Sequence, residues 1–276
     1  MSTAVPKLGN RRVTGKEQFY TPQETAEWVV EKVLKFVDNP KKVTWLEPSA
    51  GSGVFIDVLA GHGIRDVLAV DIEPHHKAVK KHNFLTWKAP HAGLIAIGNP
   101  PFGRNNALSI PFFNHCAEFS DVIAFIVPRS WRKWSVTNRL SLDFELKADY
   151  DLYINYVDAN GNDVYAKNNL KTCLQIWKRT TKPRTLRVVP QTDLITKCDP
   201  READIAMRVF GYGCGSVYTE FNRVPNTTMA FFKVKNRNVT KALREIDFSK
   251  YFNNVSYTQA LAFSEIRYEI IRYFKK

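Results

Sequence analysis

Val43-Thr44-Trp45-Leu46-Glu47-Pro48-Ser49-Ala50-Gly51-Ser52-Gly53-Val54-Phe55 is the stretch that decides the fold of this chain. An apolar strand candidate, 43–46, runs into a glycine turn and then a helix, the order of the first nucleotide-binding unit of a doubly wound α/β fold. Gly51 and Gly53 permit tight curvature and close approach of a ligand to the backbone. The next apolar run, Val67-Leu68-Ala69-Val70, ends in Asp71-Ile72-Glu73. A carboxylate about twenty residues beyond the glycine turn, at the end of the second strand, is where a ribose's two hydroxyls are held. Further runs at 94–97 and 122–127 complete four parallel-strand candidates, and their near-continuous hydrophobicity suits a sheet covered on both faces. Upstream, a helix is expected from Pro22, with Thr21 as its cap and Ala26, Val29, Val30, Val33, Leu34 and Val37 on its inner face.

The 94–97 run leads through Gly98 into Asn99-Pro100-Pro101-Phe102. A conjugated exocyclic amine is a poor nucleophile, because its lone pair is delocalised into the ring. Two acceptors gripping its hydrogens draw the nitrogen toward a tetrahedral, nucleophilic geometry, and the Asn99 side-chain oxygen and the Pro100 carbonyl fit that role. Pro100 and Pro101 lack an N–H, so the segment is stiff. Phe102 offers a ring face to a planar base, an interaction of ~1–3 kcal/mol. Read for structure alone, the same residues make a Pro-Pro turn after a buried strand, with Phe102 in the core.

With these motifs in this order, the chain resembles the S-adenosylmethionine-dependent adenine amino-methyltransferases of the gamma arrangement, whose cofactor motifs precede Asn-Pro-Pro-Tyr/Phe and which carry a Thr-Pro motif near the N-terminus. That motif stands here as Gln18-Phe19-Tyr20-Thr21-Pro22-Gln23. The resemblance covers roughly residues 17–180 and implies S-adenosylmethionine as cofactor. It implies that Tyr20 and Thr21 contact the methionine end and that Glu47, in the Glu47-Pro48-Ser49-Ala50-Gly51-Ser52-Gly53 loop, faces the ammonium. It implies further that Asp71 holds the ribose and Ile72 one face of the adenine. Pro48, Ala50, Gly51 and Gly53 belong to the same cofactor set. The following family motif, Asp-Phe/Ile-Leu, stands as Asn83-Phe84-Leu85: Asn83 keeps a carbonyl acceptor without the charge, and Phe84 can pack on the cofactor's ring. An aromatic residue on the opposite face of the target base is matched best by Tyr165.

Composition sets bounds. The 276 residues are 44% hydrophobic with a net charge of +13, enough for a full domain core and a smaller module. No apolar stretch approaches the ~20 residues of a membrane span. The N-terminus lacks an apolar signal core, so an intracellular, cytoplasmic protein is expected. Cys116, Cys173, Cys198 and Cys214 are dispersed, which argues against zinc and against a disulfide framework. His75-His76 is read as the start of a surface helix after Pro74 rather than as a metal site. Residues 1–180 carry 23 Lys and Arg against 18 Asp and Glu, and residues 181–276 carry 17 against 9, so most of the excess, +8, lies in the last third. A basic module of this kind fits a polyanionic substrate.

The expected layout is a basic arm, 1–16, then a catalytic domain, 17–182, and a small α+β substrate-recognition module, 183–276. The catalytic domain is expected to be α/β: a Rossmann-like class I methyltransferase fold with a seven-stranded, mostly parallel, doubly wound sheet. Residues 152–156 and 172–177 are its closing antiparallel pair, with a turn around Asn160-Gly161-Asn162. Arg129, Trp131 and Arg132, just after the 122–127 strand, are candidates for pairing phosphates and stacking on bases, against the alternative of a basic loop with buried tryptophans. In the last third, 201–209 reads as a short helix or a strand, 210–215 as a glycine turn, 229–234 as a strand and 263–272 as an amphipathic helix. The expected function is methyl transfer to the N6 amine of adenine in DNA. RNA adenosine methylation, including the cap-adjacent kind, stays open, as do protein-glutamine methylation and an inactive binding subunit.

Overall fold

A computed structural model describes residues 19–158 and 170–275. The predicted basic arm and Tyr165, like the predicted turn at 160–162, lie outside them. The chain divides into two compact units. The first runs to Pro128 and resumes over Trp134–Leu186; the second takes Arg129–Lys133 and everything from Arg187 on. Leu186 thus closes the first unit four residues past the expected boundary, and the Arg184 guanidinium, donating to the Phe144 and Leu140 carbonyls at 3.1 and 2.9 Å, ties that extension down.

In the first unit, α1 (Gln23–Leu34) buries Ala26, Val29, Val30 and Val33, the face its apolar spacing predicts. Pro22, not Thr21, holds the cap position. Next come β1 (Trp45–Glu47), α2 (Val54–Gly61), β2 (Val67–Asp71), the two-residue β3 (Lys80–Lys81), β4 (Leu94–Gly98), α3 (Ser109–Cys116) and β5 (Ser120–Pro128). A short α4 (Trp134–Thr137) precedes the closing pair, β6 (Phe144–Leu152) and β7 (Thr172–Arg179). The sheet order is β3-β2-β1-β4-β5-β7-β6. β1 pairs in parallel with β2 and β4, placing Trp45 opposite Val67 and Ile95. β7 inserts antiparallel between β5 and β6. That order and sense are those of the Rossmann-like class I methyltransferase fold. Every residue of β4 is buried, and so is β5 apart from Asp121, as expected of strands covered on both faces.

Two local expectations are corrected. The closing strand was expected at 152–156 but occupies 144–152. It is an edge strand in which Glu145, Lys147, Asp149 and Asp151 alternate with less polar residues, and edges carry charge to discourage pairing with another chain. Its signal is therefore alternation, not an apolar run. Residues 75–76 start no helix: the His75 N–H donates to the Gly51 carbonyl at 2.9 Å, which holds that backbone on the glycine loop.

The second unit contains β8 (Ile195–Lys197), β9 (Ile205–Arg208), β10 (Val217–Tyr218), β11 (Met229–Val234), α5 (Arg237–Glu245), α6 (Ser249–Phe252) and α7 (Phe263–Phe274). Its antiparallel sheet has the order β10-β9-β11-β8. Ile205, Met207 and Phe232 pack with Val239 and Leu243 of α5 and with Ile266 and Ile270 of α7. Residues 201–209 thus resolve into a short 3₁₀ turn, Pro200–Glu202, and the strand β9. The glycines at 211, 213 and 215 serve the turn between β9 and β10. No helix among the described residues is long and apolar enough to cross a membrane.

Candidate active site

β1 delivers Glu47 into the interior, and the chain then turns over Pro48–Gly53 before α2. Gly51 and Gly53 adopt φ +45° and +78°, values that side chains with a Cβ rarely reach. Space forbids a Cβ as well: one on Gly51 would lie 2.8 Å from the Tyr20 ring, and one on Gly53 would lie 2.5 Å from the His76 ring. Asp71, at the end of β2, ties the loop to its neighbours. Its two carboxylate oxygens accept from the Gly51 and Glu73 backbone N–H groups, each at 2.8 Å. Each carboxylate oxygen keeps a further lone pair for a ligand hydroxyl. Tyr20 is fixed by reciprocal backbone bonds with Val157 at 3.1 and 3.2 Å. Ile72, beside Asp71, is 67% exposed, so an apolar surface stands open where the cofactor's adenine is expected.

Glu47 is almost fully buried and its Oε2 has no hydrogen-bond partner. Burial, and then the charges of Asp71 and Asp57, push its carboxyl well above the ordinary carboxylate range. A buried carboxyl in this state calls for a cationic donor, and the ammonium of S-adenosylmethionine fits. Together with the glycine cradle and Asp71, it makes a donor and acceptor set matched to that cofactor.

Asn99 follows β4. Its Nδ2 donates to the Phe19 carbonyl at 2.9 Å and to the Thr21 hydroxyl at 3.2 Å. Both amide hydrogens are thereby used and the side chain is oriented, while Oδ1 is buried with no hydrogen-bond partner. A buried acceptor without a donor costs ~1–3 kcal/mol, and an arriving N–H removes that cost. The Ser49 hydroxyl donates to the Asn99 carbonyl at 3.3 Å, joining the glycine loop to this segment. Phe102 is 7% exposed, and the Phe19 ring lies nearly parallel to it, with centroids 6.3 Å apart.

The structure therefore gathers Tyr20, Thr21, Glu47, Pro48, Ala50, Gly51, Gly53, Asp71 and Asn99 around one loop system. Asn83 Oδ1 caps its own turn, accepting from the Leu85 N–H at 3.1 Å, and keeps a second lone pair. Two expectations are corrected. Phe84 is a core residue, 1% exposed among Trp87, Phe112, His115 and Phe119. Arg129 and Trp131 are buried, so Trp131 has no ring face to give a base, while Arg132 is half-buried. Two residues were given no site role. Phe19 stands inside the quoted Gln18–Gln23 motif, so its position carried a signal. His76, read only as part of a helix start, has its Nε2 3.6 Å from the Asp57 carboxylate.

No family model matches the chain. Over 96 residues it is 33% identical to the type II methyltransferase M.HincII of Haemophilus influenzae, and equally to M.HindII of the same species. The matched stretch is 33% of this chain and 18% of those relatives. Among solved structures, a candidate RNA methyltransferase from Pyrococcus horikoshii superposes with a TM-score of 0.46 at 17% identity, over 63% of this chain and 94% of that one. The 23S rRNA methyltransferase ErmE gives 0.40 at 16% identity, over 60% and 71%.

Proposed function

We propose that this chain, which has the class I methyltransferase fold and is related over a third of its length to type II methyltransferases, transfers a methyl group from S-adenosylmethionine to the exocyclic N6 amine of adenine in DNA. The observation that carries the reading is Asn99, with both amide hydrogens spent and a buried Oδ1 awaiting a donor. S-adenosylmethionine supplies an electrophilic methyl group. Asn99 Oδ1 and the Pro100 carbonyl accept the two amine hydrogens and return lone-pair density to the nitrogen. Pro101 keeps that segment stiff. Glu47 takes the cofactor's ammonium, Asp71 its ribose hydroxyls, and Ile72 packs on its adenine. Phe102, 7% exposed against Phe19, must turn outward to stack on the target base, and the base must leave the duplex to reach it. The N–C bond forms as the C–S bond breaks, and the amine's proton, acidic only after methylation, passes to solvent. No general base is required. The net charge of +13 supports a nucleic acid over a protein substrate.

Tritiated methyl transfer to duplex DNA, single-stranded DNA, RNA and protein in parallel, with nucleoside analysis of the product, tests this. N6-methyladenine in DNA is the expected product. Label confined to RNA would reassign the substrate, and label confined to protein would overturn the reading.

A further inference from the structure

The sheet of the second unit has two unlike faces. Alternation along β9 and β11 sends Ile205, Met207 and Phe232 to the helices, and so sends Ala206, Arg208, Met229 and Phe231 to the opposite side. Pairing sets Tyr218, Ala206 and Phe231 in one row across that side, with Arg208 and Met229 opposite each other in the next. Ala206 itself is buried, packed with Phe231 and covered by Phe221 and Met229. The chain after β10 borders this side with Glu220 and Phe221, giving a cleft of about 280 Å³ lined by Arg208, Tyr218, Glu220, Phe221, Met229 and Phe231, among others. That is near the lower end of the roughly 300–1,000 Å³ of small-ligand sites.

The cleft is organised before any ligand arrives. The Arg223 guanidinium donates to the carbonyls of Pro200, Arg201 and Ala203 at 3.3, 3.0 and 2.9 Å. It also lies 5.0 Å from the centre of the Phe221 ring, which in turn has the Phe231 ring at 5.8 Å. Phe221 is therefore fixed in place, and its ordering is not charged against binding. Tyr218 is 38% exposed. Arg208 is half-buried, and among the described residues no carboxylate pairs with it.

Aromatic faces with a cation and an acceptor on the rim match a heterocycle, which is apolar on its faces and polar at its edge. Glu220 disfavours a bare anion and is an acceptor for an exocyclic amine. Residues 181–276 carry the +8 that would draw a phosphate chain here. We infer that this face binds one unpaired nucleobase of the nucleic-acid substrate, stacked on Tyr218 and Phe221, with an adjoining phosphate on Arg208. The inference rests on the proposed function in taking a nucleic acid as substrate, and adds that a second, non-target nucleotide is held unpaired on the second unit.

Photo-crosslinking of the full chain to DNA and RNA strands carrying a single 5-iodouracil, with mass-spectrometric location of the adduct, tests it. Adducts are expected on Tyr218 or Phe221 with single strands and not with full duplexes. Tyr218→Ala should weaken single-strand affinity roughly tenfold. Arg208→Gln should lower the slope of log affinity against log salt by about 0.7. Tyr212→Ala, on the neighbouring turn and 97% exposed, should change neither. Adducts only elsewhere, or unaltered affinity and slope in both variants, would overturn the site. If methyl transfer to nucleic acid persists in that case, the proposed function stands without it. Failure of the chain to bind any oligonucleotide overturns both.

Discussion

Asn99 and Glu47 each end in a buried oxygen without a donor, but they call for different tests. In the proposed reaction Asn99 grips the amine and not the cofactor. Asn99→Ala should therefore slow methyl transfer by a factor on the order of 100–1000 while cofactor affinity, read by calorimetry, changes little. Near-normal turnover on adenine-containing substrates would refute the amine-gripping mechanism. Glu47 tests the cofactor pocket through pH. Its folded carboxyl holds a proton to higher pH than the unfolded one. Below 4.5 both states are protonated and the group costs nothing. Above that value the unfolded state releases the proton first, so stability falls as pH rises toward the folded value. Glu47→Gln should therefore melt at higher temperature than the parent above that pH, with a gap that widens until the folded carboxyl itself titrates, and should bind S-adenosylmethionine more weakly. Melting curves across the acid-to-neutral range, with and without cofactor, check both. A parent whose stability is flat with pH would mean the carboxyl is solvated.

The glycine loop is the element on which these residues depend. Gly53→Ala meets two obstacles, a left-handed backbone and the His76 ring. The backbone alone costs roughly 1–2 kcal/mol, so denaturant unfolding should show at least that loss, and His76→Ala in the same chain should recover only part of the steric loss, because the His76 Cβ would itself lie 2.8 Å from the new methyl. Full recovery would show that the backbone conformation is not required. Elements were legible wherever one interaction dominates. Continuous burial marked β4 and β5, and the spacing Ala26, Val29, Val30, Val33 marked α1. β6 was misplaced because an edge strand writes its fold in alternation diluted by charge. The 75–76 segment was misread because its conformation comes from one long-range bond, to the Gly51 carbonyl, which local propensity cannot register. Phe84 and Trp131 show the matching limit at the site. A motif gives a residue's place in the chain, but whether an aromatic ring faces a ligand or the core depends on packing from distant elements.

Across the whole chain the charge is not spread evenly: +5 over residues 1–180 and +8 over 181–276. If that excess tracks a phosphate backbone, counterion release makes nucleic-acid affinity fall steeply with salt, with a log–log slope of several units. Helix α5 offers a way to separate binding from mere solubility. Arg237, Lys241 and Arg244 are all exposed, at positions i, i+4 and i+7 on one helical face. The nearest acid on that face, Glu245, lies 3.8 Å from Lys241, an exposed pair of small energetic weight. Replacing the three by Gln should lower the salt slope by about 0.7–0.9 for every phosphate that is no longer neutralised. The drop in affinity should be uniform across sequences, since groups that hold phosphates position a strand without reading it. Methyl transfer at saturating substrate should be unaffected, because none of the three belongs to the Asn99 or Asp71 sites. Fluorescence anisotropy over a salt series, for the parent and the triple variant, gives the slopes directly. A flat response in the parent would show that the basic excess only keeps the protein in solution; a steep response unchanged in the variant would move the phosphate track off α5.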